Sequence, residues 1–300
     1  MESKQSPSIT VIIPTFNRVN LLKETVESVR NQTFRDFEII VVNDGSTDGA
    51  SEWLRKQTDL RVIEQSNLGI ATARNNGAAA AKGLWLAFLD HDDLWAPDKL
   101  LIQAEFVQTN PEVALVATRH VRLGKSFREP KKPQWIKGDL FAKEYSQSFI
   151  HTSSVMIRRD VFQQIDGFPT KYRFADEFDV WLKIAAAYPI AYFDRPLVFI
   201  RFYDSNTSHN RVGVRTDTYD ILLRHYDPER IPSGAFLRTL SDHDISFGRA
   251  YLQAGDLPEA LKWFRKSLLR TPFRLRSWRY YLRYKIRLAL SRRKRVGRRS

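Results

Sequence analysis

The sequence predicts an α/β fold in which helices cover both faces of a mostly parallel sheet. Short, nearly continuous apolar runs alternate with helical patterns over residues 9–118, and such runs are typical of strands buried on both faces. Polar motifs follow three of these runs, beginning at Pro14, Asp44 and Asp90. Ligands bind beyond the carboxyl ends of parallel strands, so the three motifs are expected to converge on one crevice.

The elements can be placed in order along the chain. Apolar runs predict strands at 9–14, 37–43, 60–64, 84–89, 113–118, 154–157 and 196–202. Helical spacing of apolar residues predicts helices at 19–31, around 53–54, and at 71–82, 98–109 and 177–188. Residues 120–150 are basic and contain proline, which predicts an irregular loop. From residue 213 onward the pattern is helical, with a helix pair at 241–270 broken at Gly255.

Length and composition indicate a globular protein. Three hundred residues suffice for one large α/β domain with an appendage, and 43% hydrophobic residues can form a core. The absence of cysteine excludes disulfides, thiolate metal sites and cysteine nucleophiles. The first eight residues lack the apolar segment of a signal peptide, and no apolar run is long enough to span a bilayer. We therefore expect a cytoplasmic protein.

The positive charge is concentrated at the C-terminal end. The formal net charge is +14, and residues 273–300 contain ten Arg, two Lys and no acid, which leaves +2 for the other 272 residues. A nearly neutral body argues against a nucleic-acid-binding core, so no nucleic-acid partner is expected.

An acidic cluster ends the apolar run at 84–89. Asp90, Asp92 and Asp93 fall within four positions. Grouped carboxylates at a strand end favour a hard cation such as Mg²⁺ or Mn²⁺, which in turn favours a diphosphate substrate. The alternative is a surface turn whose aspartates cap the helix that opens near Asp98.

Taken together, the motifs resemble glycosyltransferase family 2, and the resemblance covers residues 8–205. It implies the A-type glycosyltransferase fold, a Rossmann-like mostly parallel sheet, and a nucleotide-diphospho-sugar donor. Each motif is a short stretch: VIIPTFNR from Val11, VVNDGSTD from Val41, NLGIATARN from Asn67, FLDHDD from Phe88 and DEFDVWLK from Asp176.

The resemblance also implies roles for single residues on the donor side. Asp44 would accept the imide N–H of uracil or thymine, so UDP or dTDP donors are favoured; the alternative role is helix capping. Asp90 would reach the ribose or share the metal, Asp92 would hold Mn²⁺ or Mg²⁺ against the diphosphate, and Asp93 would orient its neighbours. The remaining nucleotide-sugar contacts implied are Pro14, Thr15, Phe16, Arg18, Arg74 and Asn75.

The resemblance to glycosyltransferase family 2 implies that the catalytic base belongs to the pair Asp176-Glu177. Relatives mostly read Glu-Asp, so the order here is reversed; the register of the following Phe178 to Leu182 favours Glu177, with Asp176 as the second choice. The alternative is that acids are enriched in the first turn of a helix because of its dipole. Asp179 and Trp181 would organise this helix. His209 is a possible further metal ligand, and water or phosphate is the alternative.

The C-terminal segment predicts an amphipathic helix. Arginines border its apolar face, which is formed by Leu275, Trp278, Leu282, Ile286 and Ala289. Such a helix is typical of an anchor on an anionic membrane surface. Two alternatives stay open, namely a helix packed on the preceding pair with a solvated basic face, and binding of RNA or another polyanion.

We therefore predict three segments. Residues 1–212 form a catalytic domain, with a nucleotide-sugar half at 8–120 and an acceptor half at 121–212. Residues 213–272 are a helical extension with one tetratricopeptide-like helix pair, and 273–300 are the basic tail.

The expected function is that of a metal-dependent, inverting glycosyltransferase of the hexosyltransferase type. It would modify a glycan or lipid-linked acceptor in cell-surface polysaccharide synthesis at the inner face of the membrane. The alternatives are a nucleotidyltransferase, which would want a Gly-rich loop after the first strand, and a non-catalytic membrane-associated scaffold.

Overall fold

In the computed structural model, which describes residues 7–202 and 211–296, the chain divides into two units. The first comprises Met1–Tyr172 with Asp176–Asp204, and the second Arg173–Ala175 with Ser205–Ser300. The strands of the first unit are β1 (Ile9–Thr15), β2 (Phe37–Asp44), β3 (Arg61–Gln65), β4 (Trp85–Phe88), β5 (Leu94–Trp95), β6 (Leu115–Arg122), β7 (Trp135–Gly138), β8 (Met156–Arg158) and β9 (Ile190–Ile200).

Helices flank these strands in the chain. In the first unit they are α1 (Val19–Arg30), α2 (Ala50–Arg55), α3 (Ile70–Ala80), α4 (Lys99–Thr109), α5 (Phe141–Gln147), α6 (Arg159–Gln164) and α7 (Asp176–Ala187). In the second they are α8 (Arg211–Arg224), α9 (Ser233–Gln253), α10 (Leu257–Arg270) and α11 (Leu275–Val296).

The strands form one sheet in the order β3-β2-β1-β4-β8-β6-β9-β5, with β7 also paired to β9. The four strands from β3 to β4 are parallel, so β1, β2 and β4 end at the same edge. The short β8 lies between β4 and β6 and is antiparallel to both. The fold is therefore α/β as predicted, with a parallel first half of the sheet and a mixed second half.

Close packing of α3 on the sheet sets the depth of this helix. A Cβ on Gly77 would lie 2.5 Å from Cγ2 of the buried Ile12, so only glycine allows this approach. The preceding residues of α3, Arg74 and Asn75, are thereby brought close to the carboxyl edge of the sheet.

Two sequence predictions are corrected beyond β6. The predicted irregular loop at 120–150 contains β7 and α5. The indole of Trp135 stacks between Phe106 and Phe193, with ring centroids 3.8 and 4.7 Å away, and these long-range partners are invisible to local pattern. The last strand begins at Ile190 instead of Pro196, because Pro196 lies at a register irregularity inside the strand.

The second unit is a helical array. α9 and α10 are joined by a turn at Gly255 (φ 83°), and the Asp256 side chain caps α10 by accepting the N–H of Glu259 at 2.9 Å. A buried cluster of hydroxyl groups ties α9 and α10 to the start of α11; it consists of Ser241, Ser267, Thr271 and Ser277. Within the described ranges, no helix is both long and apolar enough to cross a membrane.

Candidate active site

The acidic turn after β4 is held in place through Asp93. The Asp93 N–H donates to the Asp90 carbonyl at 3.0 Å, and the Ser153 hydroxyl donates to Asp93 Oδ2 at 2.6 Å. The same hydroxyl oxygen accepts the N–H of Asp90 at 3.2 Å. Burial, together with the charges of Asp90 and Asp92, raises the pKa of Asp93 well above its usual value. Asp93 thus has the geometry of an orienting residue.

The helix-capping alternative for this turn does not match the geometry. The N-cap residue of α4 is Asp98, five positions after Asp93, and its side chain makes no capping hydrogen bond. Asp98 instead pairs with Arg195 at 2.6 Å. The carboxylates of the turn therefore have a role other than starting α4.

Arg74 lies between the two acidic motifs. Its Nη2 is 2.7 Å from Asp90 Oδ1 and its Nη1 is 3.2 Å from Asp176 Oδ2, and the Arg74 side chain is only 4% exposed. Burial disfavours the charged guanidinium, but the charges of Asp90, Asp176 and Glu177 outweigh it and raise the pKa of Arg74. For Asp90, burial is likewise outweighed by Arg74, and its pKa is lowered. The Arg74 guanidinium thus links the acidic turn after β4 to the start of α7, although these motifs are far apart in sequence.

Asp176 and Glu177, the two candidates for the catalytic base, begin α7. Asp176 is buried against Arg74, whereas Glu177 is half-buried. Burial and then the negative charge of Asp176 raise the pKa of Glu177 to about 8. A carboxylate whose proton affinity is raised in this way is a better acceptor for the proton of a hydroxyl group, which suits a general base. The indole of Trp181 is buried and meets the Phe168 ring edge-on at 6.0 Å, which fixes the helix behind the pair.

Asp44 is buried at the end of β2, and its carboxylate contacts the chain that leads into α3. Oδ1 accepts the Leu68 N–H at 2.7 Å and the Gln65 side-chain amide at 2.7 Å, and Oδ2 accepts the Gly69 N–H at 2.9 Å. These bonds give Asp44 a structural role near the start of α3, not α2, because the chain 68–69 folds back over it. Contact of Asp44 with the uracil or thymine of a donor stays a prediction.

Other predicted donor-side residues are divided between the sheet edge and the surface. The Oγ1 atom of Thr15 is buried and, within 7–202 and 211–296, has no hydrogen-bond partner. The carbonyl of Pro14 lies 3.2 Å from Nδ1 of His91, which links the first motif to the acidic turn. Phe16 and Arg18 are exposed at the same end of β1.

The remaining predicted residues are structural or outside the described chain. Asn75 uses both ends of its amide on Phe168: Nδ2 donates to the carbonyl at 2.8 Å, and Oδ1 accepts the N–H at 2.9 Å. Asp179 is buried and pairs with Lys183 at 2.9 Å along α7. His209 lies outside the described residues.

Two residues around the acids, Ser153 and Phe168, escaped sequence analysis. Ser153 connects the acidic turn to the short 3₁₀ turn at Thr152–Ser154, and its carbonyl accepts the Trp95 indole N–H at 2.7 Å. Phe168 lies beneath Arg74, with the guanidinium 5.1 Å from the ring centroid. The neighbouring His151 is half-buried, and desolvation lowers its pKa to about 4. Lone Ser and Phe residues carry no motif, so only the tertiary structure could reveal Ser153 and Phe168.

The donor set after β4 fits a divalent cation. Asp92 takes part in no ion pair within the described part of the chain, and burial and the charge of Asp90 raise its pKa. Asp90 is paired with Arg74, whereas Asp92 lacks a neutralising charge within the described ranges, which Mg²⁺ or Mn²⁺ would supply through oxygen ligands. No three His, Cys, Asp or Glu side chains among the described residues converge as a preformed metal site. Asp90 and Asp92 would therefore need substrate oxygens or water to complete the shell.

Solved structures define the class of this fold. S. aureus TarS 1-349 in complex with UDP-GlcNAc matches with a TM-score of 0.60 and 17% identity, over 89% of this chain and 93% of that one. The mannosyltransferase PcManGT from Pyrobaculum calidifontis, in complex with GDP-Man and Mn²⁺, matches with a TM-score of 0.62 and 23% identity, over 96% and 87%. The chain has the A-type glycosyltransferase fold.

Sequence comparison gives the family. The family model described as Glycosyl transferase family 2 matches residues 10–166, and the chain belongs to this family. An uncharacterised glycosyltransferase of Rickettsia felis is 33% identical over 64% of this chain, and hyaluronan synthase of Pasteurella multocida is 26% identical over 72%. The chain spans about a third of the length of the first curated relatives it matches.

Proposed function

We propose that the chain is a metal-dependent, inverting glycosyltransferase that moves a sugar from a nucleotide-diphospho-sugar to a hydroxyl of a glycan or lipid-linked acceptor. The observation that carries the proposal is the contact of Arg74 with both Asp90 and Asp176. This contact links Asp90, one of the acids proposed to bind the donor, to α7, the helix that carries the proposed catalytic base Glu177. Such a pairing suits a reaction that needs a stabilised leaving group and a base at the same time.

In the proposed reaction, Glu177 takes the proton of the acceptor hydroxyl. At the same time the acceptor oxygen forms a bond to the anomeric carbon of the donor sugar. The bond from this carbon to the diphosphate oxygen breaks, and its electron pair leaves with the nucleoside diphosphate. Asp90 and Asp92 would hold the cation, which neutralises charge on the departing diphosphate when bound. A single base with no protein-bound sugar intermediate corresponds to inversion at the anomeric carbon.

For the donor, we propose a uridine or thymidine diphospho-sugar. A carboxylate at Asp44 suits the imide N–H of either base, and the unpaired hydroxyl of Thr15 lies at the same sheet edge. TarS and PcManGT were solved with UDP-GlcNAc and GDP-Man, respectively. Calorimetric titration with UDP-, dTDP- and GDP-sugars in the presence of Mn²⁺ tests the proposal. Binding of a UDP- or dTDP-sugar is expected. Binding of a GDP-sugar alone would overturn the choice of uridine or thymidine, and failure of every sugar nucleotide would overturn the transferase proposal.

We also propose that α11 binds an anionic membrane surface at the inner face of the cell membrane, in cell-surface polysaccharide synthesis. α11 packs inward through tyrosines: the rings of Tyr280 and Tyr284 each lie 5.4 Å from Phe264. Its apolar stripe is left outside, and the exposed fractions are 86% for Leu275, 41% for Trp278, 45% for Leu282 and 59% for Ile286. This arrangement favours the membrane over a helix packed through its apolar face.

The charges beside the stripe suit anionic lipid. Arg276, Arg279 and Arg283 are exposed next to it, and each basic residue near an anionic surface contributes on the order of 1 kcal/mol. The double variant Leu282→Gln with Ile286→Gln is expected to bind phosphatidylglycerol vesicles about tenfold or more weakly, since two apolar side chains no longer insert. Co-sedimentation at low and high salt measures this effect.

The matched control for the stripe is Leu84→Gln, because Leu84 is 68% exposed but lies in the catalytic unit. This control should bind vesicles like the unmodified protein. Equal vesicle binding by the double variant would contradict the membrane proposal and leave the transferase proposal untouched.

A further inference from the structure

Arg74 offers little surface to a nucleotide. Both terminal nitrogens are engaged by carboxylates on different elements, and one face of the guanidinium lies over Phe168. The remaining nitrogen, Nε, is buried and has no hydrogen-bond partner among the described residues. A base or phosphate could contact the group only by displacing one of these partners.

The neighbouring residue reinforces the same connection. Asn75 holds the backbone of Phe168 by two hydrogen bonds, and Asp166 and Gly167 just before it both have positive φ, 61° and 63°. Two successive residues in this conformation make a sharp turn that needs external support. A Cβ on Gly167 would lie 2.6 Å from Asn75 Oδ1, so the turn fits tightly against α3. Successive residues of α3 therefore fix both this turn and the first residue of α7.

Charge makes Arg74 hard to replace at this position. Asp176 and Arg74 are each 4% exposed, and removing one member of a buried ion pair leaves the other charge without compensation. A lysine has the same charge but a single ammonium group, and it lacks the planar fork that reaches two carboxylates in fixed directions.

We propose that Arg74 is a positioning residue that holds the base helix α7 at a fixed place relative to the donor-side Asp90. The inference rests on the proposed transferase function. It assigns Arg74 to the alignment of the catalytic base Glu177, not to contact with the nucleotide. Loss of the connection misplaces Glu177 relative to the acceptor while the nucleotide pocket stays formed.

The first test is Arg74→Lys, measured for both binding and turnover. Turnover at saturating donor and acceptor should fall about 10²-fold, the size of effect expected for a misplaced catalytic group. The dissociation constant for UDP or GDP with Mn²⁺, whichever binds the unmodified protein, should stay within about threefold, below the change of a lost charge-assisted contact. A loss of nucleotide affinity of about tenfold or more at unchanged turnover would overturn the inference.

The matched control is Arg159→Lys. Arg159 also supports α3, but its Nη1 donates to the Ala81 carbonyl at 2.6 Å and joins no carboxylate among the described ion pairs. Turnover of this variant should remain near that of the unmodified protein. A decrease as large as that of Arg74→Lys would mean that any loosening of α3 suffices, which would overturn the specific role of Arg74.

A double-mutant cycle gives a second readout that does not need the lysine variant to fold. The cycle compares the turnover of Arg74→Gln, of Asp176→Asn and of the double variant, in which both side chains are uncharged. Thermal melting of each variant checks that it is folded. If Arg74 acts through Asp176, the double variant should be no slower than the slower single variant by more than about threefold. Multiplication of the two single losses would overturn the inference. Absence of any nucleotide binding by the unmodified protein would instead refute the transferase proposal.

Discussion

Glu177→Gln is expected to lower the rate of sugar transfer by about 10²- to 10⁴-fold, the contribution typical of a positioned general base. Glutamine keeps the size of the side chain and its place on α7 but cannot accept the hydroxyl proton. Donor binding should change little, because Glu177 faces the acceptor in the proposed reaction. Release of nucleoside diphosphate measured with and without acceptor distinguishes transfer from hydrolysis.

The pH dependence gives an independent check on the base. Burial and Asp176 raise the pKa of Glu177 to about 8, and a base works only when it is deprotonated. The value of kcat/KM for the unmodified protein should therefore fall as pH decreases through this region, and the remaining activity of Glu177→Gln should lack the same decline. Asp176→Asn serves as the comparison for the reversed acid pair. If Asp176→Asn abolishes the decline and Glu177→Gln does not, the base is Asp176.

Asp92→Asn is expected to reduce transfer by about 10²- to 10³-fold, comparable to the loss of one group that stabilises charge in a transition state. An amide has no charge to neutralise a cation, so Mn²⁺ should no longer strengthen binding of the nucleoside diphosphate. Titration of the nucleotide with and without Mn²⁺ measures this effect directly.

The matched control for Asp92 is Asp98→Asn. Asp98 is a nearby acid paired with Arg195, away from the turn. Its replacement should leave the Mn²⁺ effect intact. Full activity and an undiminished Mn²⁺ effect in Asp92→Asn would refute metal binding by this carboxylate.

The sequence predicted the strands of the parallel half of the sheet well, because local pattern and topology act together there. β1, β2 and β4 are parallel and each is followed by its polar motif, so knowing the strands places the motifs. The tight approach of α3, by contrast, depends on the pairing of Gly77 with Ile12 across the fold, which no local pattern encodes.

The second half of the sheet was harder to predict. β8 was predicted at 154–157 although its three residues are too few to show a period. The turn preceding it carries Ser153, whose hydrogen bond to Asp93 no pattern indicated. The stacking of Trp135 that creates β7 also joins distant parts of the chain. In the second unit, the pattern of α11 did not reveal that tyrosines, not leucines, pack against Phe264.

Gly77 has no Cβ, and this allows α3 to pack closely on the sheet, which sets the depth of the candidate site. A single added methyl group would meet Ile12 at 2.5 Å, and overpacking of this kind costs about 1–3 kcal/mol. Either Ile12 or α3 must then shift, and an outward shift of α3 would carry Arg74 with it. Mutational tolerance in this protein should therefore not simply follow distance from the reacting atoms: a position deep under a helix, with no chemistry of its own, limits how the catalytic groups can be rearranged.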